Sequence, residues 1–269
     1  MLKTRLIPCI ITRGDRVVQS FGFNTYLPIG DIKTAIEFFV KWDVDEIIIL
    51  DITATKEKRT PNLSLIEWAA SECFVPLTVG GGITNINDIR RLINAGADKV
   101  CLNTLARLSP NFVTEASSLF GSQCITVSVD AKKIGNSYFL YNYLENKEEK
   151  IKVIDYAKKL EFLGAGEIFL NSVDRDGSRA GYDTKLLKLV SSKVRIPVIA
   201  CGGVGTSSHL PLGVIEGGCQ AVSASNIFQH TEHSTIAAKS MLLRHGVEVR
   251  LSGKVKYDQF KFDKMGRPF

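Results

Sequence analysis

Val79-Gly80-Gly81-Gly82-Ile83-Thr84 decides the fold, because a stretch of the same kind returns 121 positions later as Ala200-Cys201-Gly202-Gly203-Val204-Gly205. Each copy follows a proline-led apolar run, Val75-Pro76-Leu77-Thr78 and Ile196-Pro197-Val198-Ile199. Each then leads through a helix-like segment to a matching close, Ala95-Gly96-Ala97-Asp98-Lys99-Val100 in the first half and Gly217-Gly218-Cys219-Gln220-Ala221-Val222 in the second. Two halves on one plan indicate an internal duplication.

A buried strand that ends in glycines lets the backbone approach a ligand closely, and the N–H groups at the next helix start can hold a phosphate. In both halves the following strand closes on a small pair carrying a hydroxyl, Asn103-Thr104 and Ala224-Ser225. A single Gly-Gly is more often a plain tight turn. The duplication, with a hydroxyl beside each copy, points instead to two clefts and two phosphates.

Length leaves the choice between one large α/β barrel and two ordinary domains, and no linker separates the halves of the 269 residues. A hydrophobic content of 45% and a charged content of 23% describe a globular protein able to bury a large core. The formal charge of +6 suits small anionic substrates. No basic, aromatic-interleaved stretch supports nucleic-acid binding. The start, Met1 to Leu6, leads into an apolar run broken by Arg13 and Asp15, too short for a signal or a membrane span. The six cysteines, at 9, 73, 101, 124, 201 and 219, have no C-x-x-C spacing and read as reduced, mostly buried thiols of a cytoplasmic protein. His230 and His233 lack further ligands nearby, so neither a metal nor a cofactor is expected.

Short apolar runs alternate with amphipathic segments, the pattern of βα units. Strands are expected at Leu6–Ile11, Glu46–Asp51, Leu77–Val79, Lys99–Leu102, Ile125–Asp130, Glu167–Asn171, Val198–Ala200 and Ala221–Ala224. Helices are expected near Asp31–Trp42, Leu63–Cys73, Asn87–Ala95, Asn111–Phe120, Ile151–Leu163, Lys185–Val190, Ser208–Glu216 and Thr235–His245. The count and order give a single (βα)8 barrel over residues 1–251 with a pseudo-twofold half-barrel repeat, followed by a tail, 252–269, an appendage whose lysines and aromatics could pack on the barrel or a partner, with a frayed terminus the plainer reading. Loops are expected from Thr12 to Gly30 and from Ser172 to Tyr182, and a small hairpin around Ser137 to Tyr143.

In a barrel the chemistry sits at the C-terminal ends of the strands, where Asp51, Asp130, Asp174 and Asp176 fall. Asp130 is the first candidate for an acid or base, because it closes the apolar run Ile125 to Val129 and points into the mouth; a plainer role is an ion pair with Lys132 or a helix cap. In the half-barrel register its counterpart is Ile11, so paired carboxylates are absent. Arg5, Glu46, Lys99 and Glu167 stand at strand starts on the opposite face. Four buried charges there are expected to pair as a ring, acting either as a gate on the axis or as a plug.

Across residues 1 to 251, Leu50 to Ala54, Val79 to Ile83, Gly96 to Val100, Asn103-Thr104, Asp130-Ala131-Lys132, Gly164 to Ile168 and Asp174-Arg175-Asp176-Gly177 resemble the cyclase subunit of imidazole glycerol phosphate synthase. The resemblance implies a (βα)8 barrel that takes ammonia from a glutaminase partner and acts on a phosphorylated small molecule. It also implies that Gly82, Asn103 and Thr104 hold one phosphate, that Asp176, Gly177, Gly203, Ala224 and Ser225 hold the other, and that Arg5, Glu46, Lys99 and Glu167 gate the ammonia, with Asp98 at the partner interface. This sequence departs from that pattern: Ile11 stands in place of a second catalytic aspartate, Gln19 in place of a lysine, and Asn171 and Cys201 in place of hydroxyl-bearing residues. A divergent branch associated with surface polysaccharides is similar in carrying an apolar residue at that place, which implies ammonia supply for amidination of an acetamido sugar. A barrel with phosphate clefts and no acid pair also fits a silent ammonia conduit or an unrelated phosphate-binding isomerase. An isomerase of that kind pairs carboxylates across the half-barrels, so Ile11 argues against it.

Overall fold

The computed structural model describes residues 3–229, 234–264 and 266–268, so the segment His230 to His233 lies outside the described residues. In chain order the elements are β1 (Arg5–Arg13), β2 (Arg16–Phe21), β3 (Thr25–Asp31), α1 (Ile32–Lys41), β4 (Ile47–Asp51), α2 (Leu63–Glu72), β5 (Leu77–Gly80), α3 (Ile86–Asn94), β6 (Lys99–Leu102), α4 (Thr104–Leu108) and α5 (Phe112–Phe120). They continue with β7 (Ile125–Ile134), β8 (Ser137–Asn142), β9 (Lys147–Lys152), α6 (Val153–Phe162), β10 (Glu167–Ser172), α7 (Thr184–Ser191), β11 (Val198–Cys201), α8 (Leu210–Ile215), β12 (Ala221–Ala224) and α9 (Thr235–Arg244). Helix starts carry local caps: the side chains of Asp31, Asn62, Asn85, Asp183 and Ser234 each accept a hydrogen bond from a backbone N–H of the first turn.

The strands β1, β4, β5, β6, β7, β10, β11 and β12 pair in parallel in that order, and β12 pairs back onto β1 through Arg5↔Ala221 to Pro8↔Ala224. The sheet is thus a closed eight-stranded parallel barrel with helices outside, a (βα)8 barrel. Closure leaves no unpaired sheet edge around the core. Leu6, Ile10, Ile47, Ile49, Val100, Val127 and Ile168 are buried in the layer between strands and helices.

Side chains of a strand alternate between the two faces, and here the period sorts the barrel into layers. Along β1 the inward series is Arg5, Ile7, Cys9, Ile11; along β10 it is Glu167, Phe169, Asn171; along β6, running one residue past the strand, it is Lys99, Cys101, Asn103. The bottom layer is charged, the middle is the apolar cluster of Ile7, Cys9, Ile11, Ile48, Phe169, Ile199 and Cys201, and the polar side chains return at the top. Each layer comes from positions that are neighbours in the closed sheet and distant in sequence.

The bottom layer is a closed ring of alternating charge. Arg5 donates to Glu46 Oε2 at 2.7 Å and to Glu167 Oε1 at 2.6 Å. Lys99 Nζ donates to the same two carboxylates, to Glu46 Oε2 at 3.0 Å and to Glu167 Oε2 at 2.9 Å. Thr78 Oγ1 donates to Glu46 Oε1 at 2.7 Å, which satisfies the most buried member. A buried carboxylate with this many donors avoids the several kcal/mol that an unpaired buried ion costs.

Two expectations need correction. The span Thr12 to Gly30 is not an open loop: β1 runs on to Arg13 and turns into the antiparallel pair β2–β3. Similarly β7 extends to Ile134 and turns into β8, and a further strand, β9, completes a ribbon where one hairpin around Ser137 to Tyr143 was expected. These ribbons follow the first strand of each half, so they obey the same duplication. Alternation in Arg16–Phe21 is weak because Val17, Val18, Gln19 and Ser20 are all buried in turn. The short helix α4 went unforeseen for want of length. The tail, finally, packs on the barrel: Tyr257 hydroxyl donates to Asp43, Ser252 N donates to Tyr257 hydroxyl at 2.8 Å, and Arg244 lies 4.8 Å over the Phe262 ring and bonds the Phe260 carbonyl.

Candidate active site

Two clefts open at the C-terminal end of the strands. The first is lined by Gly82, Asn103, Thr104 and Asp130 together with Thr55 and Tyr143. The second is lined by Asp176, Gly177, Gly203, Ala224 and Ser225 together with Gln19, Arg179 and Arg267. Both candidate sets from the sequence are therefore assembled, each in its own cleft. Ile11, Leu50, Phe169 and Asn171 line both clefts, so the two share one mostly apolar floor over the barrel axis.

Glycine is required where the loops press together. At Gly82 (φ +63°) a Cβ would lie 1.8 Å from the Arg59 carbonyl oxygen, and at Gly203 (φ +99°) it would lie 2.3 Å from that of Gly181. Any side chain there would push a cleft wall outward, in a backbone region L-residues avoid. The Gly82 N–H donates to Thr55 Oγ1 at 3.2 Å, a second hydroxyl that sequence reading missed. Its signal was the run Thr53-Ala54-Thr55 just beyond β4.

Asp130 sits at the mouth, 7% exposed. Asn103 Nδ2 donates to its Oδ2 at 2.8 Å and Ser128 Oγ to its Oδ1 at 3.5 Å. Burial is the largest influence on the carboxyl and pushes it up to about 7, Asn103 pulls against that, and the Asp176 charge adds to it. The plainer role, an ion pair with Lys132, is not formed: Lys132 Nζ lies 3.9 Å from Asp174 and 5.4 Å over the Tyr141 ring. A carboxyl that is half ionised near neutrality is suited to both giving and taking a proton. Opposite it, Ile11 is 9% exposed and offers no partner acid.

The remaining strand-end acids are committed elsewhere. Asp51 accepts from Arg59 Nη1 at 2.5 Å, Thr53 N at 3.1 Å and Ala54 N at 3.2 Å, which holds the loop after β4. Asp174 accepts from Lys133 N at 2.8 Å. Asp176 lines the second cleft, yet its carboxylate accepts from Ser20 Oγ at 2.6 Å and Phe23 N at 3.2 Å, and burial raises it above the usual carboxylate range. It pins the β2–β3 ribbon across the mouth. Thr104 Oγ1 lies 3.5 Å from Tyr143 hydroxyl at the start of α4. Asp98 is exposed at the bottom face and accepts from Leu77 N at 2.8 Å.

The class these features define is a (βα)8 barrel with two clefts at the strand ends, the buried Asp130 in the first of them, and an apolar lumen closed below by a charge ring. The family model for histidine biosynthesis proteins matches residues 5–234. Over 269 residues the chain is 62% identical to the protein named "Putative imidazole glycerol phosphate synthase subunit hisF2" from Vibrio vulnificus (strain YJ016), covering 100% of this chain and 99% of that one. The chain belongs to the histidine biosynthesis protein family and, within it, to the cyclase-subunit family of imidazole glycerol phosphate synthase. Among the described residues no helix is long and apolar enough to cross a membrane, and no three His, Cys, Asp or Glu side chains gather as a metal site.

Proposed function

We propose that the chain is the synthase subunit of a glutamine amidotransferase pair, which uses ammonia from a glutaminase partner on a ligand carrying two phosphates. The observation that carries this reading is the coaxial order of the parts. Arg5, Glu46, Lys99 and Glu167 close the lower end, Ile7, Ile48 and Phe169 line an apolar interior, and Asp130 stands at the upper end in the first cleft, above the floor that both clefts share. Neutral ammonia crosses an apolar lumen far more readily than ammonium does. The ring shields that lumen from bulk water, and movement of one cation would open it.

In the first cleft Gly82, Asn103 and Thr104, and in the second Asp176, Gly177, Gly203, Ala224 and Ser225, hold the phosphates at the two ends of the substrate. Asp130 then faces its middle and moves the proton. The partner docks on the lower face, where Asp98 is exposed. Phe74 (92% exposed), Leu119, Phe162 (88% exposed) and Ile215 lie at the C-terminal ends of α2, α5, α6 and α8 on that same face. An apolar rim of that kind marks an interaction surface.

A second reading is favoured by one residue. Ile11 packs with Leu50 and Phe169 in the shared floor, leaving Asp130 without a carboxylate across from it. General acid or base catalysis contributes about 10²- to 10⁴-fold, so the ordinary imidazole-forming reaction is slow or replaced, and ammonia supply for amidination of an acetamido sugar is the leading substitute. Complementation of a histidine auxotroph lacking its own cyclase subunit separates the two. Growth with the unmodified chain supports the ordinary reaction; growth only with Ile11→Asp shows that the clefts and Asp130 are sound and the missing acid is the cause. Failure of both, with a folded protein, rejects the substrate-binding reading.

A further inference from the structure

We propose that the C-terminal turn completes the second cleft, and that Arg267 from this turn and Arg179 from the loop after β10 are its anion-holding side chains, gripping a phosphoryl group of the ligand. The proposal rests on the two-anion reading above and adds a part of the chain outside the repeated barrel.

The tail crosses the outside of the barrel, held by the Tyr257–Asp43 and Arg244–Phe260 contacts, and then reverses. Asp263 makes the turn: its carbonyl accepts from Gly266 N at 3.0 Å, its Oδ1 from Arg267 N at 2.8 Å, and its own N–H donates to the Arg267 carbonyl at 2.9 Å. Phe262 and Pro268 form a bridge across it. Gly266 is buried, and a Cβ there would lie 2.6 Å from Ser208 Oγ. The turn is therefore seated on the segment that follows the second glycine pair.

That seating brings Arg267 to a cavity of about 320 Å³ lined also by Gly203, Gly205, Thr206 and Ser225. Arg179 lines the same cavity, its Cβ packed against Gly205. These two are the cationic residues of the lining, and neither forms an ion pair with a described carboxylate. Polar groups inside the cavity also wait for a partner. Ser225 Oγ is buried without a hydrogen bond among the described residues, and so is Oδ1 of Asn171, which is itself 7% exposed. Buried polar atoms normally find partners, so orphans lining a cavity beside two free guanidinium groups indicate a ligand. Guanidinium forks match phosphoryl oxygens two at a time.

Titration calorimetry with inorganic phosphate on the full chain tests this, in a Thr104→Val background that cripples the first cleft. The expected result is that Arg267→Ala weakens the remaining phosphate site about tenfold or more, that Arg267→Lys recovers part of the loss, and that Ser225→Ala affects the same site. The melting temperature of Arg267→Ala should match the parent, because its exposed side chain holds no described partner and the turn is built from backbone and Asp263. If Ser225→Ala weakens binding while Arg267→Ala leaves it unchanged, the tail plays no part and the proposal is overturned, with the two-anion reading intact. If the parent chain and the Thr104→Val chain bind no phosphate, both fall together.

Discussion

Asp130 shows how burial sets chemistry at a single residue. In the unfolded chain its carboxyl ionises near 4, and in the folded protein near 7, because desolvation outweighs the Asn103 and Ser128 hydrogen bonds. The folded state thus holds the proton more tightly than the unfolded state. Below about pH 4 both are protonated and the group is neutral to stability; as pH rises from about 4 to about 7 stability falls, and above 7 the whole penalty is present. Asp130→Asn should therefore be more stable than the parent at pH 8, by about 1 to 4 kcal/mol, with the gain gone at pH 4. Urea melts across that range check it. The same variant should lose about 10²- to 10⁴-fold in turnover with the ligand. Ile11 is the complementary case: it is stable in the apolar floor, so Ile11→Asp regains an acid at the cost of burying a charge beside Leu50 and Phe169.

The elements that shape the site are the ones added to the barrel. The β2–β3 ribbon is tied down at two spots: Asp176 accepts from Ser20 Oγ and Phe23 N and gives its carbonyl to Gly22 N at 3.1 Å, and Asn226 accepts from Ser20 N at 3.2 Å and donates to the Ser20 carbonyl at 2.8 Å. Ser20→Ala removes the shortest of these and leaves a buried carboxylate short of a donor. Limited proteolysis should cut the ribbon near Phe21 to Thr25 faster in Ser20→Ala than in the parent, with the barrel fragment resistant. The tail is tied by Asp43, which also accepts from Lys239 Nζ at 3.1 Å while Asp45 accepts from it at 2.9 Å and, through its other oxygen, from Leu6 N at 2.8 Å. One buried lysine on α9 thereby joins the last helix, the first strand and the tail. Tyr257→Phe should lower stability by about 1 kcal/mol, read from thermal melts.

At the scale of the whole molecule the barrel separates its two faces. Chemistry-bearing groups occupy the upper end, while the lower end presents a satisfied charge ring inside a rim of exposed Phe74 and Phe162. In the proposed pair these exposed rings are what the partner would cover. Phe74→Asp and Phe162→Asp should leave the melting temperature of the isolated chain within about 2 °C of the parent, since surface substitutions are usually within about 0.5 kcal/mol. With the neighbouring glutaminase subunit, sizing chromatography should show a heterodimer for the parent and its loss for the double variant. An unchanged heterodimer would place the partner elsewhere.

The sequence by itself determined the barrel, because the evidence for it is local and repeated. Apolar runs with inward period two, helix starts such as Asp31, and the doubled glycine strands each act within a few residues. The same period told which of Arg5, Glu46, Lys99 and Glu167 share a layer, and it singled out Asp130 and its missing counterpart at Ile11. What only the tertiary structure decided were contacts between distant positions. Asn103 meets Asp130 across 27 residues, and Ser20 meets Asp176 across 156. The ring alternates in charge because closure of the sheet brings Arg5 and Lys99 each within reach of both Glu46 and Glu167. Sequence left the tail between a frayed end and packing on the barrel or a partner; what it meets comes from Asp43, Arg244 and Ser208, groups brought to it by the formed barrel. Local pattern fixes which way a side chain points, and closure of the chain on itself fixes what it meets there.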